Sequence, residues 1–240
     1  MSRNICKKTI LKMASISIFA VLFYTSCDDN SVNVVTPEVT TFEDKRDGKI
    51  YKKVKIGSQI WMAENLNYAA DGSRCVAASN DSIAARMCEA YGRLYDWNTA
   101  MNGEHSSHAY PSGVEGVCPV GWHLPSDAEW QTLIDYVEPN AGTKLKARSW
   151  HDRQAPGGKP VPDGTDKYRF TALPGGYALY SDGKMNLGNP GYTGGWWSST
   201  EMESHNDEAW VQIIYGTGTY VLRHHWDKHA YFLSVRCVHD

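Results

Sequence analysis

Apolar residues at Trp130, Leu133, Ile134 and Val137 recur at i, i+3, i+4 and i+7, the stripe of a helix laid against a core. The residues before it fix where that helix begins. Pro119 and Pro125 hold φ at about −65° and push the residues preceding them out of the helical region. Ser126 is then the N-cap, and Glu129 completes a Ser-x-x-Glu capping box. Asp127 and Glu129 also complement the positive end of the helix dipole. Pro139 stops the helix. A period of two takes over elsewhere. Val54 and Ile56, then Ile60 and Met62, alternate on either side of Gly57-Ser58 and predict a hairpin over 49–62. Four segments, 196–200, 209–215, 219–224 and 230–238, predict closing antiparallel strands, with Gly216-Thr217-Gly218 as the clearest turn among them.

Weaker patterns fill the rest. Arg93 to Trp97 predicts a short strand running into a helical turn at 98–101, and 142–150 a second, weaker helix. Residues 170–177 return to the core and turn at Pro174-Gly175-Gly176. Residues 67–90 read as a small-residue loop, and 148–167 as a long loop of the length that often carries function. The expected class is α+β, with antiparallel strands, one strong and one weaker helix and long loops.

The N-terminus reads differently. Arg3, Lys7, Lys8 and Lys12 precede a short apolar run, 13–24, too short to span a membrane. Residues 1–26 are expected to be a signal peptide, and Tyr24-Thr25-Ser26-Cys27 resembles a lipobox with Cys27 acylated. Asp28-Asp29 resembles the acidic signal of surface-exported lipoproteins. This points to an outer-membrane lipoprotein exposed at the cell surface, touching the membrane through its lipid alone. Residues 27–44 are polar and β-branched and read as a flexible tether, leaving 45–240 as one domain. Removing the signal changes 24 basic against 27 acidic residues to 20 against 27, so the formal net charge moves from −3 to −7. No basic cluster remains, which argues against nucleic acid as a partner.

The segment Cys118-Pro-Val-Gly-Trp-His-Leu-Pro-Ser-Asp-Ala-Glu-Trp130 resembles the signature of the Fibrobacter succinogenes major paralogous domain. Four further stretches, at 47–66, 91–97, 196–201 and 234–238, match that family in the same order. The resemblance implies a C-type-lectin-like domain, related also to formylglycine-enzyme-like folds, and implies no catalytic residues. Four cysteines remain after Cys6 and Cys27 are set aside, allowing three connectivities. The pairing Cys75–Cys88 with Cys118–Cys237 is favoured, the second tying the helix start to the final strand as in lectin-like folds. No Cys-x-x-Cys spacing supports a zinc site.

Candidate chemistry is sparse. No Gly-x-Ser-x-Gly, His-Glu-x-x-His or phosphate loop occurs, so no enzyme is expected. Glu138-Pro139-Asn140 spells a calcium- and sugar-binding tripeptide of lectins but falls at a helix end, where it reads as a stop. Calcium could draw on Asp163, Asp166, Glu201, Glu203, Asp207 and Glu208, which lack any repeat spacing; no other cofactor is expected. His225 and His229 lie i, i+4, but in a segment that reads as a hairpin tip, with Trp226 exposed there. His123 reads as a structural hydrogen-bonding residue. Nine tryptophans are a high load. Trp122, Trp130 and Trp210 are assigned to the core, and of Trp196 and Trp197 one should face outward. Trp197, Trp226, Tyr192, Tyr177 and Trp150 could therefore line a surface that stacks on pyranose rings. The expected function is non-catalytic binding or adhesion, to polysaccharide or to a surface protein. A structural component of the outer surface is the alternative, and an enzyme with an unrecognised site comes third.

Overall fold

Stretches with a period of two become strands here wherever a second apolar surface lies over them. The structure, a computed structural model, describes residues 36–75, 81–150 and 163–240. It begins with β1 (Val39–Glu43), β2 (Ile50–Ile56) and β3 (Gln59–Met62), followed by α1 (Asp81–Tyr91) and α2 (Trp97–Met101). Next come β4 (Trp122–His123), α3 (Asp127–Val137) and α4 (Ala141–Leu145). The rest is strand: β5 (Tyr177–Ser181), β6 (Lys184–Gly188), β7 (Thr193–Met202), β8 (His205–Tyr215), β9 (Leu222–Asp227), β10 (Tyr231–Phe232) and β11 (Val238–His239). Among the described residues they form three sheets, ordered β1-β2-β3-β11-β4, β10-β5-β6 and β7-β8-β9, with antiparallel pairing throughout.

α3 is the element the predicted pattern describes best. The Ser126 hydroxyl accepts from the Glu129 amide, and the Glu129 carboxylate accepts from the Ser126 amide at 3.0 Å. The helix ends at Val137 with Glu138 as its C-cap. Its apolar stripe packs with Val54, Ile56 and Trp61 of the first sheet and with Trp196 and Ile214 of β7 and β8. A second cluster joins Tyr51 and Met62 to Trp97, Trp197, Val211, Ile213 and Leu233. Burying one such side chain contributes about 1.5–3 kcal/mol. The β7-β8-β9 sheet, the central one, is thus held from both faces.

Both favoured disulfides are present. Cys75–Cys88 spans a sequence separation of 13, and Cys118–Cys237 one of 119, with Cα atoms 5.0 and 6.0 Å apart. The second joins the residue before Pro119 to the end of the chain beside β11.

Several expectations need correction. Val39–Glu43 was assigned to the tether by composition, yet it pairs along its whole length with β2, from Val39↔Val54 to Glu43↔Ile50. The loop expected over 67–90 contains α1. Its Ala84-Ala85-Arg86-Met87 run favours helix by intrinsic propensity. Gly92 follows at φ +78°, and a Cβ there would lie 2.8 Å from that of Asn65. The weaker helix is short, stopping at Leu145. The β5–β6 hairpin was not anticipated, although its turn residues Asp182 and Gly183, at φ +52° and +71°, form a strong hairpin dipeptide. Residues 1–35, with the signal segment, Cys27 and most of the tether, lie outside the described residues, as do 151–162 of the long loop. Among the described residues no helix is long and apolar enough to cross a membrane.

Candidate functional site

Even-numbered side chains of β8 share one face of the central sheet. Along that face Ile214 lies in the core with α3, Gln212 is buried, and Trp210 is only half-buried. α3 covers one end of the sheet and leaves the other open. The opening is a cavity of about 600 Å³, into which Thr200, Met202, Trp210 and Arg223 project from the three strands. Asp127, Ala128 and Gln131, from the first turns of α3, form the facing wall. Glu203 and Ser204 on the β7–β8 turn and His108 on the loop before Cys118 complete the lining.

The polar groups of this cleft are fixed by one another. Arg223 donates from Nε to both oxygens of Asp127, at 3.0 and 2.9 Å, and its Nη2 lies 2.8 Å from Asp127 Oδ2. Gln212 donates to the same carboxylate at 3.1 Å. The guanidinium carbon of Arg223 sits 3.2 Å from the centre of the Trp210 ring, and the His225 ring meets that tryptophan edge-on. The wall opposite is pinned as well. Thr200 Oγ1 accepts from the Asp127 amide at 3.0 Å and donates to the Ser107 carbonyl at 2.6 Å, while Ser106 Oγ accepts from the Glu201 amide. An aromatic ring, a carboxylate and a guanidinium therefore stand in set positions, with little left to order when a ligand arrives.

The aromatic residues chosen from sequence are dispersed. Trp197 and Trp150 are fully buried, with their indole N–H groups given to the carbonyls of Tyr95 and Tyr192. Adjacent strand positions do send Trp196 and Trp197 to opposite faces, but β7 is covered on both, so neither ring reaches the surface. Tyr177 and Trp226 are brought together, with ring centres 5.0 Å apart, and Tyr231 lies 4.6 Å from Trp226. Tyr192 pairs instead with Tyr215, 6.2 Å away. Trp226 belongs to β9, inside a strand and half-buried, not to an exposed tip. Trp210, assigned to the core, is the tryptophan that lines the cleft. Its alternation with Gln212 and Ile214 fixed a face of the sheet but not where α3 stops covering it.

The comparison with protein families now bears on this architecture. A family model described as the Fibrobacter succinogenes major domain matches residues 54–239. The chain belongs to that family. No curated protein and no solved structure matches it. The Fibrobacter succinogenes major domain segment includes every residue lining the cleft and both disulfides, whereas β1 lies before it.

Two buried ionisable groups of this Fibrobacter succinogenes major domain with shifted pKa, His123 and Arg236, stand apart from the cleft lining. His123 is buried, with Nε2 2.7 Å from Glu129 Oε1 and Nδ1 2.7 Å from Asp240 Oδ1. A carboxylate at each ring nitrogen requires both to donate, so the ring is an imidazolium. Burial pulls its pKa down, but the two carboxylates outweigh burial and raise it. Arg236 is wholly buried, and burial pushes its pKa down to about 9. Its donors go to Asn65 Oδ1 and to the carbonyls of Phe170 and Thr171. Three of the six oxygen ligands considered for calcium are taken by other partners. Asp166 accepts from Thr171, Glu201 pairs with Lys228, and Glu208 accepts from His225. His229 pairs with Asn98 rather than with His225. Among the described residues no three His, Cys, Asp or Glu side chains converge as a metal site would require.

Proposed function

We propose that this Fibrobacter succinogenes major domain is a non-catalytic carbohydrate-binding module, carried at the bacterial outer surface by a lipid on Cys27. The observation that carries the reading is the cleft in which Trp210, Arg223 and Asp127 are held in one rigid arrangement. A flat ring beside fixed acceptors and donors matches the amphipathic faces of a sugar. The groups with shifted pKa support a binding role over catalysis. His123 and Arg236 are engaged by protein partners, and neither lines the cleft. We read the fold as C-type-lectin-like, supported by the disulfide that ties the start of α3 to the last strand. The cluster of Tyr177, Trp226 and Tyr231 favours a second reading, docking to another surface protein in an assembly role.

Pull-down of the full, oxidised protein against a panel of soluble and insoluble polysaccharides, with and without EDTA, tests this. Saturable binding that is lost in Trp210→Ala and kept in Trp226→Ala is the expected result. Loss only in Trp226→Ala would move the site to the aromatic cluster, and no glycan binding at all would favour the assembly role. Sensitivity to EDTA would add calcium to the site.

A further inference from the structure

We infer that the cleft sorts glycans by charge, admitting uncharged and amine-bearing sugars and rejecting acidic ones, with Glu203 as the residue that sets this preference. The inference rests on the carbohydrate-binding reading and adds the class of ligand to it.

The ionisable side chains lining the cleft are Asp127, Glu203, Arg223 and His108. The one guanidinium among them is already paired. Three contacts from its Nε and Nη2 go to the Asp127 carboxylate, and its central carbon lies 3.2 Å from the centre of the Trp210 ring, while among the described residues no hydrogen bond engages Nη1. A bidentate Arg of this kind is often what an acidic ligand would seek, but here the protein supplies the carboxylate itself. The pair contributes almost no net charge to an incoming molecule. Glu203 differs. It is exposed on the β7–β8 turn, and among the described residues no hydrogen bond or ion pair engages its carboxylate. The fixed charge left at the mouth of the cleft is therefore negative.

The hydrogen-bonding capacity points the same way. Gln131 gives one amide N–H to Asp135 and keeps its carbonyl oxygen as an acceptor beside its second N–H. Thr200 Oγ1 has already used its proton on the Ser107 carbonyl. The free carboxylate of Glu203 and the carbonyl oxygen of Gln131 thus form an acceptor-rich rim. Sugar hydroxyls and ammonium groups donate to such a rim, whereas a uronate or sulfate would bring a second uncompensated negative charge against Glu203. Asp127 is held in its pair with Arg223 and by Gln212.

The size of the effect follows from Coulomb's law. One unit charge at about 6 Å in water changes affinity roughly threefold, and reversing the charge at that distance changes it about tenfold. The test is titration of the full, oxidised protein with three oligosaccharides of one backbone: neutral, carboxylated and amine-bearing. The neutral and amine-bearing forms are expected to bind several-fold more tightly than the carboxylated one, and the gap should narrow at about 1 M salt as the charges are screened. Glu203→Lys should shrink the neutral-to-acidic ratio about tenfold and Glu203→Gln about threefold, with unchanged thermal unfolding for both. An unchanged ratio in Glu203→Lys, or a native protein that binds the carboxylated form as tightly as the neutral one, would overturn the charge filter while leaving carbohydrate binding intact. Binding of none of the three would remove the carbohydrate reading as well.

Discussion

Two ion pairs grow from the first turn of α3, and they are built to different ends. Glu129 turns inward to His123, where both side chains are sealed, at 2% and 3% exposure. Asp127 turns outward to Arg223 and stays partly wet, at 18% and 42%. The inner pair satisfies a whole neighbourhood. Glu129 also accepts from the amides of Ser112 and Ser126, and His123 reaches on to Asp240 near the end of the chain. The outer pair satisfies little beyond itself and leaves a rigid polar surface facing a cavity. The same helix dipole favours both carboxylates. What separates them is how much of the rest of the protein depends on each.

Removing one partner of the inner pair should have the largest effect. Glu129→Ala strands a buried imidazolium and two amides, and a loss of about 3–5 kcal/mol is expected in denaturant unfolding. A loss below about 1 kcal/mol would mean that the inner pair is as dispensable as a surface one. Replacing Cys118 and Cys237 together by Ser removes the other tie between the start of α3 and the chain end. It should cost about 2–5 kcal/mol by the same measurement. Acidity distinguishes the pairs next. Because His123 has its pKa raised above the ordinary histidine value of about 6.5, its contribution is fully present below about pH 6.5 and is lost as pH rises through the raised folded value. Thermal unfolding followed from pH 6 to 9 should fall in the native protein, and the part due to His123 should vanish in His123→Gln. The smallest stability effect belongs to the outer pair. Arg223→Ala should change unfolding by no more than about 1 kcal/mol, yet it should abolish whatever ligand binding the cleft supports. A large loss of stability would show that the outer pair is structural too.

The inner pair was half legible in the sequence, and the outer one was not. The capping box placed Glu129 beside Ser126 from spacing alone, and the position of His123 before the helix suggested a hydrogen-bonding role. Those are local relations within seven residues. Asp127 was read only as a complement to the helix dipole, because its partner Arg223 lies 96 positions away on β9. Both disulfides and the 49–62 hairpin were foreseen, the hairpin from its turn residues and the disulfides with the family resemblance, since the cysteine count alone left three connectivities. Burial was harder. Strand alternation tells which side chains share a face, but it cannot tell how far a helix covers that face. That is why Trp197 was expected at the surface and is buried, and why Trp210 was expected inside and lines a cleft. The chemistry of the site lies where one layer of structure runs out, a boundary that no periodicity marks.

β1 carries a mechanical consequence. It is the outermost strand of its sheet, its residues are largely exposed, and its N-terminal end leads back toward residue 35 and the segment before it. Any tension arriving from the N-terminal side falls first on the Val39↔Val54 end of the β1–β2 ladder. Those five residue pairs can peel away one after another as far as the turn at Asp44–Lys49, releasing slack while β2 stays seated in its sheet. Beyond them, the covalent bond between Cys118 and Cys237 closes the fold into a loop of fixed length. The molecule thus has a yielding element in series with a locked one, and a pull from the N-terminal side would be absorbed before the cleft is deformed.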